Sequence, residues 1–82
     1  ACGSAGEFLQ PAHQAGCDVL LTGETNFHTC LAAEATGVVL MLVGHYASER
    51  FGLECLAEIV SGEFADVEVW CSQKEKDPLH WV

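Results

Sequence analysis

The 82-residue chain repeats one pattern: a short unbroken apolar run, a glycine, then a longer stretch in which apolar residues return every three or four positions. The longest run is Val38 to Val43, and Gly44 stops it. A β-branched-rich run of that length predicts a strand buried on both faces. Behind it Leu53, Leu56 and Val60 separate from Glu54 and Glu58 at a 3.6-residue period, which predicts a helix to about Ser61-Gly62. Asp18 to Gly23 predicts a second short strand. Glu24 to Thr36 predicts a helix with Phe27, Cys30, Leu31 and Ala35 turned inward and Gly37 as its stop. Residues 1–3 read as the end of another strand. Ser4 and Glu7 then fit the S-x-x-E capping box of a helix reaching about Ala15, in which Pro11 is comfortable only near the start and Gly16 is the terminator. Asp66 to Ser72 alternates in the manner of an edge strand. The tail, Gln73 to Val82, reads as an irregular cap in which His80 gives no site signal.

The order β-α-β-α-β-α-β with short connections predicts an α/β protein, a three-layer α/β/α arrangement around a mostly parallel sheet of about four strands. Ligands of such sheets gather at the carboxyl ends of the strands. The Gly3 turn, the pair Glu24/His28 and the pair His45/Glu49 all fall on that edge. The glycine-rich turn before the first helix could cradle phosphate, but it has neither a Walker lysine nor a full G-x-G-x-x-G. An ordinary tight turn is the better account.

Charge and composition narrow the function. The net charge is −9, from 12 acidic residues against Arg50, Lys74 and Lys76. A chain this acidic does not neutralise a phosphate backbone, so direct nucleic-acid binding is disfavoured, whereas cations or a basic partner suit it. No apolar run approaches the length of a membrane span. The five cysteines form no C-x-x-C pair and sit mostly among apolar neighbours, which points to a reducing, cytoplasmic setting. The chain opens on Ala1 and its only methionine is Met41, so it is expected to be a piece of a longer polypeptide whose remainder covers part of the apolar surface.

The candidate chemistry lies in two pairs, each four residues apart and just past a strand. His45 and Glu49 would bring their Cβ atoms within about 5–6 Å on one helical face. An imidazole and a carboxylate so placed are half of a metal site. They also suit a charge at a helix N-terminus and a histidine bonded within its turn. Glu49 shares its stripe with Leu53, Leu56 and Val60, and a carboxylate buried there would need a cation or donors. Glu24 and His28 carry the same two readings, and a helix-terminal charge with a half-buried histidine accounts for them.

Together, Cys2-Gly3-Ser4-Ala5-Gly6, Gly16-Cys17-Asp18-Val19-Leu20-Leu21-Thr22-Gly23-Glu24 with His28, Gly44-His45-Tyr46-Ala47-Ser48-Glu49 and Asp77-Pro78-Leu79 resemble the C-terminal portion of the NIF-three-like proteins, also known as GTP cyclohydrolase I type 2. The G-H-Y-A-[ST]-E block is the most specific part. The resemblance implies that residues 1–82 are half of a two-lobed α/β fold, cytoplasmic or mitochondrial, with a cleft for two divalent metal ions (Zn, Mn, Fe or Mg) and a habit of oligomeric assembly. It maps metal ligation onto His45 and Glu49. It places Thr22, Glu24 and His28 beside them, with Glu24 or His28 orienting a ligand or relaying a proton. Glu24 stands where aspartate is also frequent. The remaining family ligands, a histidine pair and an aspartate, belong to the N-terminal half, so this chain alone is expected to hold metal loosely or not at all. The implied partners are that half or further copies, with a small-molecule substrate of unknown identity. The implied function is a metal-dependent, hydrolase-like protein, or a non-catalytic assembly or partner-binding protein whose metal is structural or vestigial.

Overall fold

A computed structural model describes residues 1–80 and 82. The chain divides into two compact units, Ala1–Glu49 and Arg50–Val82. In the first unit, a 3-10 turn at Gly6–Phe8 leads into helix α1, Leu9–Gln14. Strand β1 (Val19–Thr22), helix α2 (Phe27–Thr36) and strand β2 (Val39–Leu42) follow, and helix α3 (His45–Glu63) runs on into the second unit. β1 and β2 pair in parallel, Val19 opposite Val39 and Thr22 opposite Leu42. A parallel pair needs a crossover, and α2 supplies it.

Local chemistry sets the boundaries. Asn26 caps α2, its Oδ1 accepting from the Thr29 amide at 2.9 Å. Gly37 closes the helix in the left-handed region, φ 77°. The helix therefore begins at Phe27 and not at Glu24, which pairs instead with Ser4 in an isolated parallel bridge. That bridge also undoes the expected capping box: Ala5 occupies the N-cap and no side chain caps the turn. Pro11 sits in the first turn of α1, where its missing N–H costs nothing.

Register decides burial. Leu20 and Leu40 face one side of the sheet with Val38, where Leu9 of α1 and Ala33 of α2 close the core. Val19, Leu21, Val39 and Met41 face the other side and stay about half exposed, Val39 at 58%. The run Val38–Val43 is thus buried on one face and not on two, because α1 and α2 both pack on the Leu20 side. The inward stripe expected of α2 is corrected in the same way. Phe27, Cys30, Leu31 and Ala35 are exposed and Ala33 is the buried position.

Two of the expected four strands form. Residues 1–4 run beside β1, the Ala1 amino group donating to Leu21 O, but make a single bridge. Residues 66–72 form no strand, since a strand exists only against a neighbour and none pairs with them among the described residues. They are held as irregular chain: the Arg50 guanidinium donates to Ser72 O at 2.8 Å and to Glu75 at 2.6 Å, and the Cys71 thiol donates to Leu53 O. The tail is irregular as expected, although Trp81 lies outside the described residues. No helix among the described residues is long and apolar enough to cross a membrane.

Candidate functional site

Both strands end at the same edge, and the polar side chains gather there. Gly44 (φ 90°) turns the chain out of β2, its amide donating to Gly23 O at 2.8 Å. That bond ties the exits of β1 and β2 together. His45 follows as the first residue of α3, and Glu24 lies two residues beyond the end of β1.

The result is a three-residue chain of contacts. His45 Nδ1 lies 2.7 Å from Glu24 Oε1, and His45 Nε2 lies 3.0 Å from Glu49 Oε1. The imidazole is bracketed by two carboxylates, each partly open to solvent. Its pKa is raised above 6.5, chiefly by the hydrogen bond to Glu24 and against the opposing effect of desolvation, with the charges of Glu49 and Glu24 adding to the rise. Protonated His45 donates at both nitrogens, so it is an ion-pair hub as it stands.

A raised histidine pKa has a definite sign in stability. The bonds of the imidazolium stabilise the folded chain fully below 6.5, and that contribution fades as pH climbs through the higher folded value. Thermal melts taken at rising pH are expected to lose a stabilising component above 6.5 that the His45→Gln variant never had. Parallel pH profiles for the two proteins would remove His45 as its source.

The four named site residues do not all meet. Glu24, His45 and Glu49 are in contact, whereas His28 is bonded to none of them. It stands in the first turn of α2 with its ring against Phe27, 6.3 Å between centroids, and lines an open groove with Gly6, Leu9 and Thr29. Glu24 is no helix-terminal charge, as its place outside α2 shows. Glu49 is exposed and so are Leu53 and Leu56, so the argument that a buried carboxylate demands a cation does not hold here. Arg50 pairs with Glu54 and Glu75. Spacing alone did not give the Glu24–His45 bond, which links residues 21 apart through the fold; the family resemblance had placed Glu24 beside His45.

A divalent ion can be tested against this geometry. Nε2 of His45 and Oε1 of Glu49 converge, and Gly3 packs over them so closely that a Cβ on it would stand 2.7 Å from Oε1 and 3.2 Å from Nε2. Glu24 accepts from the other ring nitrogen, the arrangement that orients an imidazole whose Nε2 meets a metal. The donor types suit a borderline cation such as zinc. The number does not complete a shell: no group of three or more His, Cys, Asp or Glu side chains that could hold a metal occurs among the described residues. The pair fits two coordination positions.

A parallel α/β unit with an imidazole–carboxylate cluster at its strand ends is the class that the fold and the site define. The chain belongs to the Duf34/NIF3 (NGG1p interacting factor 3) family, whose model matches residues 1–78. It is 38% identical over 76 residues to a GTP cyclohydrolase 1 type 2 homolog of Neisseria meningitidis serogroup A, covering 93% of this chain and 30% of that protein. A Clostridium perfringens protein of the same name is 31% identical over 81 residues, 98% of this chain and 31% of that one. Among solved structures, Staphylococcus aureus protein SA1388 superposes with a TM-score of 0.74 at 30% identity, covering 99% of this chain and 24% of its own. The chain therefore spans less than a third of the length of these relatives.

Proposed function

We propose that this chain is the metal-binding C-terminal portion of a dinuclear, hydrolase-like protein, to which it contributes His45 and Glu49 as ligands. The observation that carries this reading is the 3.0 Å approach of Nε2 to Oε1 over the bare Gly3 backbone, with Glu24 behind the ring. Glu24 fixes the ring and its tautomer, and Glu49 supplies a second, anionic donor. A bound divalent ion would supply Lewis acidity and acidify a water. Binding must displace the proton that His45 carries on Nε2, so affinity rises with pH. The rest of the shell comes from the polypeptide that the longer relatives possess. There the four-stranded, three-layer arrangement is also completed, residues 1–4 extending as a strand and a further layer covering Val19, Leu21, Val39 and Met41. The substrate is an unidentified small molecule, which the relatives' cyclohydrolase name does not fix.

The uncovered sheet face favours a second reading, a non-catalytic assembly or partner-binding protein with a structural or vestigial metal. Metal content and metal-dependent phosphoester hydrolysis of the complete protein separate the two. The hydrolase reading expects both to fall to background in His45→Ala, and Glu49→Gln to lose most of the metal. Assembly without turnover of any such substrate would favour the second reading. Undiminished metal in both variants would remove the site altogether.

A further inference from the structure

The opening residues are fastened to the site by a set of bonds that the cluster itself does not require. Gly3 O accepts from Thr22 Oγ1 at 3.1 Å and from the Glu24 amide at 3.0 Å. Thr22 is fully buried, at 0% exposure, so this bond is shielded from water. The Gly3 amide donates to Ser48 Oγ at 3.2 Å, and the Ser48 hydroxyl donates on to His45 O at 2.9 Å. Gly3 is thus pinned on one side to β1, which bears Thr22, and on the other to the first turn of α3, which bears His45 and Glu49. Its φ of 65° lies in the left-handed region, where a Cβ is disfavoured. Its missing side chain is also what leaves room for the tips of His45 and Glu49.

We infer that Gly3 and Ser48 are positioning residues, a clamp that seats the opening backbone against His45 Nε2 and Glu49 Oε1 and thereby sets their separation and closes one side of the pair. This inference rests on the metal reading above and names what holds its geometry. Ser48 touches neither ligand tip; it acts through Gly3 and through the backbone of His45. A cation or substrate reaches the pair from the side away from Gly3. The clamp also explains a glycine at position 23: a Cβ there would meet Gly3 O and Ser48 Oγ, both at 2.7 Å.

Two readouts on the 82-residue chain test this, with circular dichroism confirming that each variant folds. The first needs no metal: a nuclear Overhauser effect between Gly3 Hα and His45 Hε1, expected in the parent, lost in Ser48→Ala and restored in Ser48→Thr, which keeps the hydroxyl. The second is Mn²⁺ broadening of the His45 and Glu49 resonances. Gly3→Ala and Ser48→Ala are expected to raise the half-saturating Mn²⁺ concentration by about 10–100-fold, the usual cost of losing a ligand's supporting contact. Gly37→Ala is the control, since it carries the same left-handed strain (φ 77°) but a Cβ there meets nothing within 4 Å. It is expected to bind as the parent does. Absence of the Overhauser effect in the parent, or a folded Gly3→Ala that matches Gly37→Ala in Mn²⁺ response, overturns the clamp. The Overhauser pattern in this chain, together with undiminished metal in His45→Ala of the complete protein, would leave the clamp standing and sink the metal reading.

Discussion

Leu20→Ala is expected to remove a large share of the chain's folding stability, whereas Leu21→Ala is expected to cost only a fraction as much. The two leucines are adjacent on β1 and chemically identical. Leu20 is 9% exposed and touches the Leu9, Ala33 and Val38 cluster, while Leu21 is 49% exposed on the uncovered face. Truncating a buried leucine costs about 2–5 kcal/mol, because lost transfer energy and a residual cavity add. A chain of this size has about 4–12 kcal/mol to lose, and five apolar residues are buried among the described residues. Urea melts followed by circular dichroism measure both variants. Equal losses would mean that the two sheet faces are equally covered.

Gly23→Ala is expected to open the site edge at a cost of about 1–3 kcal/mol, the range for overpacking a filled space. The added carbon would stand 2.7 Å from Gly3 O and from Ser48 Oγ, and 3.0 Å from Gly3 N. Two of these are backbone atoms and cannot swing aside. Relief requires Gly3 to leave Thr22, Ser48 and the Glu24 amide together, and Glu24 carries the bond to His45. Gly52→Ala is the contrast: it sits within α3 with nothing within 4 Å of its Cβ, so alanine should stabilise by roughly 0.5–1 kcal/mol through helix propensity. Thermal melts give both signs. A neutral Gly23→Ala would mean that the opening segment is not seated against Gly23.

What could be read from the amino acids and what could not divides along a physical line. β1, β2, α2 and α3 announced themselves through local periodicity and through Gly16, Gly37 and Gly44, whose conformational needs are local. The i, i+4 approach of His45 and Glu49 was legible for the same reason. The Glu24–His45 bond, the Ser4–Glu24 bridge and the Gly3 clamp depend on which strands become neighbours, and no window of sequence holds that information. The α2 boundary was missed although its signal was present: Asn26 followed by Thr29 is a sound cap. The failed burial assignments share one cause. Hydrophobicity shows that a face seeks cover, as in Val39 or Leu31, and is silent on whether the same chain supplies it. The alternation at residues 66–72 went unrealised because a strand is a relation between two segments.

The parallel direction of β1 and β2 has a consequence for how this chain acquires order. A hairpin could zip from a two-residue bend, but here the polypeptide must first travel out through the whole of α2 and return before one inter-strand bond can form. Closing that excursion is an entropic cost met in advance of any reward. Glu24 and His45 lie at opposite ends of the same excursion. The bond between Glu24 and His45 therefore cannot precede the crossover, and it is lost in any partly folded species without it, whereas the contact of His45 with Glu49 needs only α3.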